Sequence, residues 1–445
     1  MRRLFVCLFA AALAPFGAAD AGPLLDKALA YSDRMQETNL PGYGCRVEVL
    51  WTDETLTEVE KYDDLGDSGG WTGNYIGAEA FRYAVTGDPE AKAYAKRALD
   101  CALLLPYVTD KPGYIARFIG PHEGPYATYV GACAPGGSCH LIDSGPYAGH
   151  FWLGDTSSDT YIEWWWGLSL AWDYLLDAPE DEPYRLRIQQ AVRDVLDQVI
   201  DDGYRIVNPD GTPSRAAPDL IGNERIAFHL VAANILGGAY RDMLPQVYAD
   251  NLLPYVFSTL APITRWYQYY AFHLGFQLQH LIVRNETFFP FLGLHRQLFW
   301  RNLHLQTKGT GQAAFDYMVW GEGADKPKPA EEALAKDVLD RFPSPPKLKV
   351  QPDQTPWTPD PVIDAFNTLG PILAPLFGAE WDPLGPQALE PFPGDRRCVV
   401  GHYWNRSPYH LCGPGDHDPR FEYAGHDYLE AYWMGRFYGF LAESD

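Results

Sequence analysis

Apolar residues recur every three or four positions over most of the chain, which is the period of an amphipathic helix. The helical stretches come in pairs separated by short runs of turn residues. In the first pair, the turn at 86–90 (TGDPE) combines a glycine stop signal with an aspartate cap and a proline in the next helical turn. The pattern predicts antiparallel helical hairpins at 72–86 with 90–105, 161–175 with 184–202, 225–236 with 241–255, and 269–284 with 291–305.

The remaining pattern adds a few elements. A last helix is predicted at 427–442, and short strands are predicted at 46–51, 203–207 and 399–404. The stretch 326–361 is rich in proline and poor in apolar residues. We interpret it as a surface excursion with one short helix, 330–341, because no linker-like composition accompanies it. Residues 22–445 are therefore predicted to form a single domain.

This hairpin pattern resembles the six-hairpin, (α/α)6-toroid enzymes, which include many glycoside hydrolases and polysaccharide lyases. The resemblance covers about 72–305 and rests on the successive hairpins and the TGDPE-type turn. It implies an all-α, (α/α)6-like toroid with few short strands, in which the loops entering the inner helices line one mouth of the ring. No single family's catalytic signature is present, and lanthionine and terpene cyclases share related toroids, so fold alone does not give function.

The N-terminal segment 1–21 has the pattern of a secretory signal peptide, with two arginines, an apolar run and small residues. Its apolar run is too short to span a bilayer comfortably, and no later run is long enough. We therefore expect a secreted or periplasmic protein that is not inserted in a membrane after signal cleavage. The six cysteines beyond Cys7 favour disulfides. Of the fifteen pairings that six cysteines allow, we favour the set Cys45–Cys101, Cys133–Cys139 and Cys398–Cys412.

The chain carries 58 acidic and 35 basic residues, a formal charge of −23. This charge repels nucleic acid at long range, so no nucleic-acid partner is expected. It also makes a polyanionic substrate less favourable. Oligomeric state is not indicated by the sequence.

A polar loop leads into the aromatic helix predicted at 161–175. Asp155 and Asp159 lie in this loop, and Glu163 and Trp166 follow Asp159 at helical spacing, on one face. Carboxylates beside an indole are typical of a sugar-binding subsite. Two alternatives stay open: a capping role for Asp159 or Glu163, the latter in a Thr160–Glu163 capping box, and Ca²⁺ binding, although no EF-hand spacing is present.

Three further segments carry candidate binding residues. Asn223 and Glu224 open the helix predicted at 225–236, where helix capping is the alternative role. His402, Tyr403 and Arg406 lie in a polar, aromatic segment typical of a site or its lid, the alternative being a disulfide-pinned surface loop. Trp71 precedes the first long helix, where it could stack on a sugar ring.

Polar or aromatic groups at three successive helix entrances predict a shared cleft that binds an oligo- or polysaccharide. The favoured function is hydrolysis of glycosidic bonds, with Asp155 or Asp159 acting against Glu224 as an acid/base pair. One alternative is a polysaccharide lyase that acts on uronates through His402, Tyr403, Asn223 and Arg406. The other is a non-catalytic saccharide-binding toroid. No CxxC pair, matching histidine spacing, HExxH helix or phosphate loop is present, so no metal or cofactor is expected.

Overall fold

The computed structural model describes residues 22–131, 133–134, 136–258, 269–373 and 385–445. The predicted signal peptide, 1–21, lies outside the described residues. Helices dominate the fold. In chain order they are α1 (Pro23–Arg34), α2 (Ser68–Thr86), α3 (Pro89–Ala102), α4 (Ala127–Val130), α5 (Ser158–Leu170), α6 (Glu182–Asp201), α7 (Gly222–Ile235), α8 (Gly238–Asp242), α9 (Leu244–Ser258), α10 (Tyr269–Asn285), α11 (Phe289–Leu298), α12 (Leu305–Thr307), α13 (Ala313–Gly321), α14 (Pro329–Asp340), α15 (Pro361–Leu373) and α16 (His426–Phe437).

The helices of the four predicted hairpins are confirmed as α2 and α3, α5 and α6, α7 and α9, and α10 and α11. The TGDPE turn behaves as its sequence predicts. Gly87 adopts a left-handed conformation at the end of α2, and the Asp88 side chain accepts a hydrogen bond from the backbone N–H of Glu90. Helix α6 departs from simple hairpin packing, since it packs chiefly against α7.

Six of the described helices pack side by side in the order α2, α5, α7, α10, α13 and α16. The last of these packs against the first, because α16 and α2 share an extensive contact. Helices α3, α9, α11 and α14 each pack against the preceding member of this series, and α1 packs against α16. The molecule is thus broadly helical, with a few short strands.

The strands form two small antiparallel sheets. One has the order β2-β1-β7-β6 and the other β3-β5-β4. Their bounds are β1 (Glu48–Trp51), β2 (Val59–Asp63), β3 (Phe118–Pro121), β4 (Cys139–Ile142), β5 (His150–Leu153), β6 (Lys347–Lys349) and β7 (Asp418–Tyr423).

Of the three predicted strands, 46–51 is confirmed as β1 and the other two are wrong. The segment 203–207 forms only isolated bridges, because Tyr204 has a φ of 61°, which interrupts an extended backbone. In 399–404 the backbone N–H of Tyr403 donates to the Asp427 carboxylate at 2.7 Å, where a strand would use a neighbouring carbonyl.

The three favoured disulfides, Cys45–Cys101, Cys133–Cys139 and Cys398–Cys412, are all present. They fit an oxidising compartment. Within the described part of the chain, no helix combines the length and apolarity needed to cross a bilayer.

Candidate functional site

Helices α2 and α5 approach so closely that glycine is required between them. A Cβ atom at Gly70 would overlap the Glu163 carboxylate, and one at Gly73 would overlap the Glu163 carbonyl. On the other side of the contact, a Cβ at Gly167 would overlap the backbone of Gly73. Interiors packed to this density leave no room for an added methyl group. The glycines therefore fix where Glu163 lies relative to α2.

The Glu163 carboxylate lines a cavity of about 290 Å³ at the entrance of these two helices. The walls come from α2, α5, α10 and the segment that precedes α16. Its lining residues are Asp67, Trp71, Asp159, Thr160, Glu163, Tyr270, His273, Leu274 and Asn405. Three carboxylates, an imidazole, a phenol and an indole thus share one space.

A second cavity, of about 350 Å³, adjoins the first and shares Asp67, Trp71 and Asn405 with it. Its remaining walls include His402 and the carboxylates Glu48, Asp63 and Asp64. Trp71, which is 8% exposed, therefore lies at the boundary between the two spaces. We call these two adjoining cavities together the acidic cleft.

Burial raises the pKa of several carboxyl groups in this cleft. Burial, followed by the negative charges of Asp159 and Asp67, raises the pKa of Glu163 well above its usual range. Burial and the charge of Asp67 also raise the pKa of Asp159. In the adjoining cavity burial raises the pKa of Glu48 to about 8, although Arg46 opposes the shift. A carboxyl group whose pKa is raised as far as that of Glu163 holds a proton near neutral pH and can give it up to a substrate.

Behind the cleft lies a group of buried histidines around Glu430 on α16. The Nε2 atom of His402 is 3.1 Å from Glu430 Oε2, and the Nε2 atom of His273 is 3.7 Å from Glu430 Oε1. The other ring nitrogen of His273 lies 3.8 Å from the Glu163 carboxylate. Burial alone would raise the pKa of Glu430, but the two imidazoles lower it. Glu430 is therefore an ionised carboxylate beneath the cleft floor.

The ring of Trp71 stacks on this histidine group. Its centroid is 4.7 Å from that of His402, with the planes 9° apart. His426, at the start of α16, lies 5.2 Å from His402, ring centre to ring centre. Burial lowers the pKa of both His402 and His426 well below the usual histidine range, so both are neutral.

The structure separates the three carboxylates, Asp155, Asp159 and Glu224, that were predicted to share one catalytic cleft. Asp159 lines the acidic cleft, but Asp155 lines a different cavity, of about 610 Å³, together with His140, Trp152 and Arg215. Asp155 pairs there with Arg215, and Asn208 donates a hydrogen bond to it at 3.0 Å. The shared cleft predicted for the two aspartates is corrected, because the chain turns sharply at Asp155, where φ is 52°.

Glu224 lines none of the described cavities. Its carboxylate accepts a hydrogen bond from the backbone N–H of Ile221 at the start of α7, so the capping alternative is confirmed. Burial raises the pKa of Glu224 to about 7, although a hydrogen bond from the Ser158 side chain opposes the shift. Asn223 lies in the first turn of α7 and is not the cap, which is Ile221. Neither residue is brought to the acidic cleft.

The capping alternative for Glu163 is wrong, because α5 begins at Ser158 and places Thr160 and Glu163 inside the helix. The expected common face of α5 also needs correction. Trp166 is fully buried, and its indole N–H donates to His280 at 2.9 Å. Helix α5 is buried on nearly all sides, so Trp166 packs in the core while Glu163 reaches the cleft.

The residues predicted in the segment 402–406 are also separated, since only one of them lies at the cleft. His402 lines the adjoining cavity, as a site residue would. Tyr403 is buried, and its hydroxyl donates to the Gly394 carbonyl at 2.6 Å, which removes it from the cleft. The Arg406 side chain is exposed and does not line a described cavity. Of the lyase residues predicted from sequence, only His402 lies at the cleft.

The sequence prediction missed Asp67, Tyr270, His273, Asn405 and Glu430. Tyr270 and His273 lie in the first turns of α10, another polar helix entrance. Glu430 is an acid in a helix rich in aromatic residues, and an acid in such a setting indicates a functional or paired charge. The sequence offers this signal, but it does not show that these residues meet.

His273, His402 and Glu430 are also the described residues best arranged to hold a metal ion, since each places a ligand atom within 4.8 Å of the others. A second group, Cys398, His410 and Asp416, is similarly close. Its cysteine is bonded to Cys412, however, so it offers no thiolate.

The comparisons with known proteins add no identification. No protein-family model matches the chain, and neither the curated proteins nor the solved structures contain a significant match.

Proposed function

We propose that this chain is an exported carbohydrate-active enzyme that hydrolyses glycosidic bonds in the acidic cleft. One observation carries the proposal: Asp67, Asp159 and Glu163 converge with Trp71 in a single partly open cavity. Two carboxyl groups flanking the scissile bond are the usual machinery of glycoside hydrolysis. An indole ring beside them suits the apolar face of a sugar ring.

Within the cleft, Glu163 is the general acid and Asp159 its partner carboxylate. Glu163 is the more buried, so it keeps its proton and donates it to the glycosidic oxygen as the bond to the anomeric carbon breaks. Asp159 takes the proton of the attacking water, whose oxygen forms the new bond at the anomeric carbon. Asp67 lies beside both groups, and its charge favours the protonated form of Glu163.

The packing order of the helices supports an (α/α)6-like toroid as the framework. Helices α2, α5, α7, α10, α13 and α16 would be its inner ring, and α16 against α2 would close it. The acidic cleft would then lie at the mouth formed by the entrances of α2, α5 and α10. The three disulfides support export to an oxidising compartment, and an oligo- or polysaccharide would be the partner.

A uronate-specific polysaccharide lyase is the second candidate, since Tyr270, His273 and Asn405 also line the cleft. A phenol or imidazole would remove the C5 proton while the amide binds the uronate carboxylate. Three carboxylates and no arginine or lysine stand among the residues that line the 290 Å³ cavity, which disfavours an anionic sugar. The shifted carboxyl groups disfavour a purely binding role.

The deciding experiment offers the mature chain neutral and uronate-containing polysaccharides. It follows reducing ends together with the ultraviolet absorbance of C4–C5 unsaturated products. Reducing ends without absorbance support hydrolysis, and Glu163→Gln is then expected to abolish them. Glu182→Gln, an exposed acid in the first turn of α6, is the matched control. Absorbance rising with the reducing ends would replace the hydrolase with the lyase, and inactivity on the whole panel would contradict both.

A further inference from the structure

The buried group of His273, His402 and Glu430 is not used by the proposed hydrolysis. The three residues come from α10, from the segment before α16, and from α16 itself, and their exposed fractions are 1%, 2% and 0%. Their ligand atoms lie within 4.8 Å of one another. Two imidazoles and one carboxylate are a recurrent ligand set of zinc enzymes.

The two separations from Glu430 lie on either side of the spacing expected between ligands of one zinc ion. Tetrahedral ligands about 2.0–2.2 Å from zinc stand roughly 3.3–3.6 Å apart. The observed separations from Glu430 are 3.1 Å to His402 and 3.7 Å to His273. At 3.7 Å the second pair is too far apart for a good hydrogen bond.

Two polar atoms that face each other in this group lack partners. Among the described residues, Nε2 of His273 and Oε1 of Glu430 have no hydrogen-bond partner, although both are buried. Leaving buried polar atoms unsatisfied is unfavourable, and such atoms call for an explanation such as a bound ion. A cation between the imidazoles and the carboxylate would satisfy the facing atoms together.

The surroundings supply what a metal site needs beyond its ligands. The second ring nitrogen of His273 faces the Glu163 carboxylate at 3.8 Å, and metal-bound histidines commonly have a carboxylate in this position. Trp71 stacks on His402 and restricts its ring. His273 and His402 each line one of the two cavities of the acidic cleft, so a fourth ligand position would be reachable from solvent.

We propose that His273, His402 and Glu430 form a divalent-metal site that binds Zn²⁺, with Glu163 as the outer carboxylate that orients His273. The site goes beyond the proposed function. It requires no sugar substrate, and it stands or falls independently of the hydrolase assignment.

The test measures zinc binding in the absence of any substrate. The mature chain is stripped with a chelator, dialysed and titrated with ZnCl2 by calorimetry, and bound metal is counted by mass spectrometry. We expect one zinc ion per chain. Glu430→Gln and His273→Gln should each weaken zinc affinity by more than about 100-fold, and Glu163→Gln by about 10–100-fold.

His426→Gln is the matched control, because His426 is an equally buried neighbour that lies outside the ligand group. It should bind zinc within about threefold of wild type. Circular dichroism verifies that each variant is folded, and added zinc should raise the melting temperature of wild type and His426→Gln but not of Glu430→Gln. Absence of stoichiometric zinc binding in the wild-type chain, or equal affinity in wild type and folded Glu430→Gln, would overturn the proposal. The first outcome would leave a hydrogen-bonded His–Glu–His relay in its place.

Discussion

The loop that enters α5 borders two cavities that treat their carboxylates in opposite ways. Asp155 faces the larger cavity, where Arg215 and Asn208 satisfy it; although burial opposes the shift, these bonds lower its pKa. Asp159 and Glu163 face the acidic cleft, where burial and neighbouring acids raise their pKa values. The charged form of Asp155 is therefore stabilised by its partners. The charged forms of Asp159 and Glu163, four and eight positions further along the chain, are destabilised. A carboxyl group with a raised pKa is typical of a catalytic site, whereas an ion-paired carboxylate is typical of a stable surface.

The largest expected effect comes from replacing the carboxyl groups of Glu163 and Asp155 with amides in separate variants. Glu163→Gln should lower kcat/KM by about 10²–10⁴-fold, because it removes the proton donor while keeping the shape. Asp155→Asn should change kcat/KM only a few-fold. The comparison uses initial rates on the best substrate of the polysaccharide panel. A larger loss for Asp155→Asn than for Glu163→Gln would restore the catalytic role predicted for Asp155 from sequence.

The close approach of α2 and α5 positions Glu163 at the acidic cleft and can be tested through stability. Gly73→Ala should lower the free energy of unfolding by about 1–3 kcal/mol, since the added Cβ overlaps the Glu163 carbonyl. Chemical denaturation measures the change. Gly293→Ala, where nothing lies near the added Cβ within α11, is the control and should be neutral or stabilising. A neutral Gly73→Ala would show that the two helices are not in tight contact.

The raised pKa of Glu163 predicts a pH-dependent stability with a definite sign. The folded protein binds this proton more tightly than the unfolded chain does, so the stability it contributes is present at low pH and lost as pH rises through the raised pKa. Glu163→Gln in chelator-treated protein should therefore melt at a higher temperature than wild type at neutral and alkaline pH. The difference should vanish in acid. Thermal melts across the pH range provide the measurement, and a variant less stable than wild type at alkaline pH would contradict it.

Asp155 should show the opposite sign and the smallest effect. Its lowered pKa contributes stability above the ordinary aspartate range, which is lost as pH falls through the lowered value. Asp155→Asn should cost up to about 1 kcal/mol at neutral pH, since Arg215 is largely exposed and solvent screens the pair. Denaturant melts at neutral and acidic pH, with and without salt, measure it. An equal loss at both pH values would mean that packing, not charge, holds this residue.

The hairpins could be predicted from sequence because their amphipathic period and turn residues are local signals. Helix α13 was missed because nearly all of its residues are apolar and buried, so it lacks an amphipathic period. The strand pattern predicted at 203–207 failed because periodicity does not reveal a left-handed residue such as Tyr204.

The candidate site was only partly predictable for a different reason. Polar helix entrances pointed to Trp71, Asp159 and Glu163, and all three reach the cleft. His273 and Glu430 could not be joined from sequence, because 156 intervening residues separate them and only tertiary packing brings α10 and α16 to the same place. Asp155 and Glu224 were misplaced because the sequence around a carboxylate in a loop or first turn does not show which cavity the side chain faces.

The disulfide between Cys45 and Cys101 closes a loop with a sequence separation of 56 residues, and that loop contains all of α2. In the unfolded chain this closure removes conformational entropy worth about 4 kcal/mol. Material produced in a reducing cytoplasm would lose this restraint on the helix that brings Asp67 and Trp71 to the cleft. A recombinant preparation that lacks this disulfide is therefore expected to hold its cleft together less stably by about this amount.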